Sequence, residues 1–515
     1  MRIGTNVAAI VANNALQKSQ NNLSTSIERL SSGYKINGSK DDAAGCAISE
    51  KMRAQIRGLS QAQNNTADGV SVLNTAEGAI TEIQSMLTRL KELSVQAAND
   101  VNSDDEREAI QKEIEQINNE IDRISDQTEF NTQSLINGNL SRRVYSDLQG
   151  VNQLSVSDSY TAGVYGITVT EDARQAIAVG AGSITMSSTA SITEEQAGAI
   201  NINGYKISIS EGDTLDKVMG KIIDGVNITG GSAFTVKDLN NDTAANGTDY
   251  AGYVPTADYA GSTLVIMTNQ YGSGQKMNIT CDNAELADIL GIPQAATQDG
   301  IYVEGSDVKA EIATGDDGKR IGFADSAILS TKGTVITVTD VNNKEFSMDV
   351  PGNAAGTVFD DSNNDGQSAA GAGTARTISQ EVTDVGTMSI HVGANQDQVI
   401  VIDIPAITTY SLGTEHMNVM TQYTASRAIS TVDEAINKTN KIRSSIGAYE
   451  NRFDHTTNNL EVSSENLTKS LSTMIDTDMS EEMTTYTSET VLTQAATSIL
   501  AQANERPSQV LQLLQ

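Results

Sequence analysis

Three histidines, His391, His416 and His455, and two cysteines, Cys46 and Cys281, are the residues of this chain best suited to binding a transition metal. Their positions form neither an HExxH pair nor a Cys–His cluster, the spacings that put two ligands on one helical face or close a tetrahedral zinc site. Serine and threonine are abundant, but no His and Asp stand in an arrangement that would activate one as a nucleophile. Asp213 and Asp216 open a predicted helix, where N-capping and the helix dipole account for both carboxylates. The residue types point away from an enzyme, a metal centre and a bound cofactor.

One other stretch has the chemistry of recognition. In "LTRLKELSVQAAND", residues 87–100, Leu87, Leu90 and Leu93 are spaced by three, with Arg89, Lys91 and Glu92 interleaved. This reads as the wet side of a coiled coil or as a surface that a partner grasps. Which it is depends on the elements that carry it.

The chain has 515 residues, more than one core usually organises, so several domains are expected. Its formal charge is -32, from 34 Lys+Arg against 66 Asp+Glu. A phosphate-neutralising surface is therefore not expected, and nucleic acid is excluded as a partner. With no Trp, 6 Phe and 14 Tyr, a large aromatic-lined pocket is disfavoured. Cys46 falls in a helical end and Cys281 in a β-rich middle, so both are expected as packed thiols rather than a disulfide. No apolar run is long enough to span a bilayer. "MRIGTNVAAIVANNALQKSQ" has no small-residue cleavage pattern behind it and reads as mature helix rather than a cleaved leader.

Three zones follow along the chain. Up to about 140 the spacing predicts helix, broken at 31–45 by "SSGYKINGSKDDAAG". A helix from about Ile48 to Ala98 would be roughly 75 Å long and carries a heptad of Leu73, Ala76, Ile80, Ile83, Leu87 and Leu90. Ser103 and Glu106 form a capping box. The helix it opens has Ile110, Ile114, Ile117, Ile121 and Ile124 as its seam. Asn137-Gly138 predicts a hairpin-like turn.

Residues 141–385 alternate as short strands, among them "NGYKISIS", "STLVIMT", "GTVITVTD" and "EFSMDV", with one predicted helix at 213–226. Residues 351–376 read as a loop or mobile linker. After two strands in "MSIHVGANQDQVIVIDIP", helix returns with a seam from Ile429 and Val432 through Phe453 and Leu460 to Met474. The fold class is α+β and multidomain: a discontinuous N- and C-terminal helical coiled-coil core with an inserted β-rich outer region. The outermost segments have apolar stripes without a further partner in the chain. They are expected to be mobile in the monomer and buried between neighbouring subunits.

This pattern resembles bacterial flagellin. The matching stretches are "NNLSTSIERLSSGYKINGSKDDAAGCAISEKMRAQIRGLSQAQNNTADGVSVLNTAEGA" at the N-terminal end, and "IRSSIGAYENRFDHTTNNL" with "QAATSILAQANERPSQVLQLLQ" at the other. Over about 199–292, "INGYKISISEGDTLDKVMGKI" is similar to a small β-rich module inserted in flagellins and related hook proteins. The chain departs from the family pattern at Cys46, at Glu505-Arg506 and at its final Gln515.

The resemblance implies a filament subunit, exported through the flagellar secretion apparatus with a chaperone, located outside the cell in the bacterial flagellum, and assembled as a helical homopolymer beside cap and hook-junction proteins. It implies an inner core from 1–40 with 478–515, a coiled-coil outer core from 41–140 with 386–477, and a surface-exposed insertion at 141–385. The polymerisation helices are expected to act through Ile3, Val7, Ile10, Leu16, Leu492, Ile499, Val510 and Leu514. It also implies a surface for Toll-like receptor 5, with Arg89, Leu93, Gln96 and Glu113 at the matching positions. A hook–filament junction protein and an adhesin on a flagellin scaffold are the alternative readings.

Overall fold

The computed structural model describes residues 6–513, except 158–159, 181, 238–258, 260, 294–295, 297–299, 316–317, 341–343, 353–358, 361–368, 371–374 and 384. Its helices are α1 (Val7–Ser32), α2 (Ala43–Ala97), α3 (Asp104–Gln127), α4 (Leu215–Ile228), α5 (Ala284–Ile289), α6 (Thr409–Leu412), α7 (Gln422–Ile475) and α8 (Met479–Leu513). The named strands, from Glu129–Phe130 to Val399–Ile402, all lie between α3 and α6. No helix among the described residues is long and apolar enough to cross a membrane. The chain divides into two compact units, one of Met1–Val70, Ile390–Ile400 and Asn451–Gln515, the other of Ser71–Ser389 and Val401–Glu450.

In the first unit, α1 ends where Gly33 adopts a left-handed φ of 76° and its N–H reaches the Arg29 carbonyl at 2.8 Å. Asp42 accepts from the N–H groups of Ala44 and Gly45 at 3.0 Å and so caps the start of α2. The break between α7 and α8 lies alongside. Lys35 N–H donates to the Ile475 carbonyl at 2.6 Å, and Thr477 N–H donates to the Gly33 carbonyl at 3.0 Å. Leu59, Ala62 and Leu460 form a small core with Ala394 and Leu467 packed on it.

In the second unit the predicted heptad is fully buried: Leu73, Ala76, Ile80, Ile83, Leu87 and Leu90 are each 0% exposed. On α7, Val432, Ala435, Ile446 and Tyr449 are buried in the same unit. Polar pairs flank these stripes: Lys91 Nζ lies 2.6 Å from Asp433 Oδ1, and Arg443 Nη2 lies 3.2 Å from Glu77 Oε1. The capping box of α3 is formed as read, with Ser103 N–H donating to Glu106 Oε2 at 2.8 Å.

The seam of α3 differs from the expected one. Its buried residues are Arg107, Ile110, Ile114, Asn118, Ile121 and Ser125, while Ile117 and Ile124 are only half-buried. The polar members are there because each reaches a backbone acceptor. Asn118 Nδ2 donates to the Thr414 carbonyl at 2.8 Å, and Ser125 Oγ donates to the Ile136 carbonyl at 3.1 Å. The hairpin also moves. Its strands are Glu129–Phe130 and Gln133–Ser134, and its turn is Asn131-Thr132, both at positive φ. That is the two-residue geometry expected of Asn-Gly, supplied here by a different pair.

The insertion is antiparallel throughout the pairings described. Strands Gly198–Ile202 and Tyr205–Ile209 turn at Asn203-Gly204 and lie in one four-stranded sheet with Lys276–Cys281 and Ile301–Glu304. Ile200, Ile207, Met277 and Ile279 share a core with Leu215, Val218 and Ile222 of α4. A second core gathers Tyr160, Tyr165, Phe323 and Phe346, with ring centroids 5.0 to 6.0 Å apart. The cap of α4 is Thr214 rather than Asp213. Asp213 precedes the helix, accepts from Ser210 N–H at 3.1 Å and is held by Lys217 and Lys221 at 2.8 and 2.6 Å. Asp216 lies in the first turn. Most of 351–376 falls outside the described residues, though Phe359–Asp360 pairs with Ala369–Ala370. The two strands predicted next are Met388–His391 and Val399–Ile402.

Candidate assembly and recognition surfaces

The terminal helices are not without a partner in the chain, as the sequence suggested, because α1 and α8 pack on each other. Asn6 Nδ2 donates to the Ala503 carbonyl at 2.8 Å and Asn22 Nδ2 to Glu489 Oε1 at 2.9 Å. Ser26, 1% exposed, donates to the Glu482 carboxylate, which Arg29 Nη1 also approaches at 3.6 Å. The Asn22 hydrogen bond, with Ser19 next, holds the Glu489 carboxyl below its usual pKa.

Two helices can cover only one stripe on each other, and a second stripe stays in water. Val7 is 64% exposed, Ile10 51%, Leu492 50% and Ile499 57%. Leu16 is half-buried. Ile3 and Leu514 lie outside the described residues, and so does the Val510 side chain. Sequence spacing missed Val11, Met479, Met483 and Val491, which are also large, apolar and exposed. Met479, Met483, Val491 and Ile499 fall on one four-residue ridge of α8, a signal obscured because Thr487 and Ala495 occupy its other steps.

On the second unit, Arg89 joins α2 to α3. Its Nη2 and Nε lie 2.8 and 3.0 Å from Glu113 Oε1, and its Nη1 lies 3.1 Å from Glu92 Oε2. The Glu113 hydrogen bond, followed by that of Glu92, raises the guanidinium pKa above its ordinary value. Arg89, Glu113 and Gln96 are exposed. Leu93 does not belong with them: at 1% exposure it continues the buried stripe of Leu87 and Leu90 and presents no side chain to a partner. The four expected positions therefore separate into three surface groups and one core residue.

Among the described residues no group of three His, Cys, Asp or Glu side chains is placed to hold a metal ion. Cys46 and Cys281 are both free.

Comparison with known proteins places these surfaces in a family. Residues 3–141 match the bacterial flagellin N-terminal helical region, and 429–514 match the bacterial flagellin C-terminal helical region. The chain is 32% identical to a flagellin of Salmonella typhimurium, with 99% of each chain covered. It is 30% identical to polar flagellin A of Vibrio parahaemolyticus, over 100% of this chain and 99% of that one. A solved flagellar hook-associated protein from Legionella pneumophila aligns at 13% identity over 82% of this chain and 98% of that one, with a TM-score of 0.28, too low to add to the argument. The full-length likeness in sequence, with helical ends and a β-rich middle in the structure, shows that the chain belongs to the bacterial flagellin family, as a structural subunit of the flagellar filament.

Proposed function

We propose that this subunit polymerises through the outer stripes of α1 and α8. The observation that carries the reading is the set of Val7, Ile10, Val491, Leu492 and Ile499, each at least half exposed on a helix pair that no further described residue covers. Fully burying one such side chain contributes about 1.5–3 kcal/mol, so a few of them per contact suffice to drive association. Head-to-tail contacts that do not close a ring build an open helix. On this reading 1–40 with 478–515 line the filament interior, 41–140 with 386–477 form the next shell, and 141–385 face outward. The subunit is exported with a chaperone through the flagellar secretion apparatus and works outside the cell, between hook-junction and cap proteins. Electron microscopy and light scattering of seeded Leu492→Asp,Ile499→Asp protein test it. No elongation is expected, with monomer melting unchanged; wild-type filament yield would refute the assignment.

A second reading concerns the released monomer. Arg89, Glu113 and Gln96 form an exposed polar surface that fits recognition by Toll-like receptor 5, with Leu93 serving only as support beneath it. Arg89→Ala is expected to weaken receptor binding in a direct assay, and unchanged affinity would remove the assignment.

A further inference from the structure

In the second unit, a cavity of about 420 Å³ lies between the β-rich insertion and the start of α7. Asn227, Gln270, Lys276, His416, Tyr423 and Arg427 are among the residues that line it, and among the described residues no Asp or Glu does. In a chain with 66 acidic against 34 basic groups, this local reversal needs a cause.

Arg427 is its centre. The guanidinium is half-buried and donates from Nη1 to Gln275 Oε1 at 2.9 Å, a neutral acceptor. Gln275 is itself committed, donating from Nε2 to Gln270 Oε1 at 2.8 Å. Burial holds the Arg427 pKa below its ordinary value, and neighbouring Tyr423 acts the other way. Lys276 on the same wall is different, being tied to Glu304 at 2.6 Å. No carboxylate among the described residues pairs with this part-buried guanidinium, which is costly to leave unpaired, and its planar fork matches two oxygens of one anion.

We infer that this cavity binds a small molecule bearing an oxyanion, a carboxylate or a phosphate, seated on Arg427. The volume is in the range of small-ligand pockets and near its lower end, about 300–1,000 Å³, which suits a sugar acid or a small phosphate rather than a large cofactor. The amide and hydroxyl lining supplies partners for further polar groups and offers little to an apolar ligand.

The test is calorimetric titration of the full-length monomer with D-galacturonate, inorganic phosphate and neutral D-galactose. Saturable binding of at least one anion is expected, none of galactose, and a loss of about ten-fold or more in Arg427→Gln. Galacturonate alone binding assigns a carboxylate; phosphate alone binding assigns a phosphate. Absence of saturable binding by both anions, equal binding of galactose, or unchanged affinity in R427Q overturns the inference. Should R427Q fail to fold, proton resonances of His416 and Tyr423 in the wild-type chain decide instead. They must move with ligand occupancy, and their silence at saturation overturns the site.

Discussion

Arg107 Nε donates to the carbonyl of Ala97, the last residue of α2, at 3.1 Å, so a side chain of one long helix closes the end of another. Its Nη2 takes the Asn99 carbonyl at 3.1 Å, and the residue is only 7% exposed. Carbonyls at a helix C-terminus need donors, and a cation there also suits the dipole. Arg107→Met keeps much of the volume and loses both bonds, so the urea midpoint should fall by the equivalent of about 2–3 kcal/mol. Arg107→Lys should recover little, since an ammonium cannot fork across two carbonyls. A midpoint unchanged in both variants would show that the cap contributes nothing.

Gly69 and Phe453 are fitted to each other in the first unit. A Cβ at Gly69 would stand 3.0 Å from the ring's Cζ and 3.5 Å from Ile390 Cγ1, and Phe453 is 0% exposed. Gly69→Val should therefore destabilise by about 1–3 kcal/mol through overpacking, and Phe453→Ala by about 3–5 kcal/mol through the cavity it leaves. The double variant Gly69→Val,Phe453→Leu should be more stable than the sum of its parts. Strict additivity in thermal melts would contradict the contact.

Asp213 sets a pH dependence. Hydrogen bonds from Lys217 first, then Lys221 and Ser210 N–H, hold its carboxyl well below the usual carboxylate range. A depressed folded-state pKa means stability that is fully present above the unfolded value, about 3.9, and is lost as pH falls toward the folded value. Asp213→Asn should lower the urea midpoint at pH 7 and flatten the decline between about pH 4 and pH 2. Parallel pH profiles for the two proteins would exclude the effect.

The two thiols should react apart. Cys281 is 3% exposed, its Sγ lies 3.2 Å from the Asn283 carbonyl oxygen, and burial pushes its pKa up. Cys46 is half-buried. With a chromogenic disulfide reagent, one thiol per chain should titrate in the native state, and Cys281 only at the rate of unfolding. Fast release of two equivalents from native protein would contradict this burial.

The heptad from Leu73 to Leu90 and the box at Ser103 were legible because each is written in one segment's own periodicity. What one segment does not contain was not. Asn118 and Ser125 replace Ile117 and Ile124 in the buried stripe because their acceptors, the carbonyls of Thr414 and Ile136, lie outside α3, the first 296 positions away. Leu93 was assigned to the surface by the family resemblance alone, whereas its own spacing from Leu90 keeps it on the buried side. The mutual packing of α1 and α8 was hidden for the same reason: apolar spacing marks a stripe and does not say which of two stripes the other end of the chain takes. Of the proposed recognition surface, the charges of Arg89 and Glu113 were visible, and their bond to each other was not.

The Asn6–Ala503 bond joins groups separated by 497 positions. Ring closure over so many links is slow and entropically unfavourable compared with forming a helical turn. Local helical turns are therefore expected to form before α1 and α8 pair. Closure of this pair is expected as the slowest step in folding the subunit.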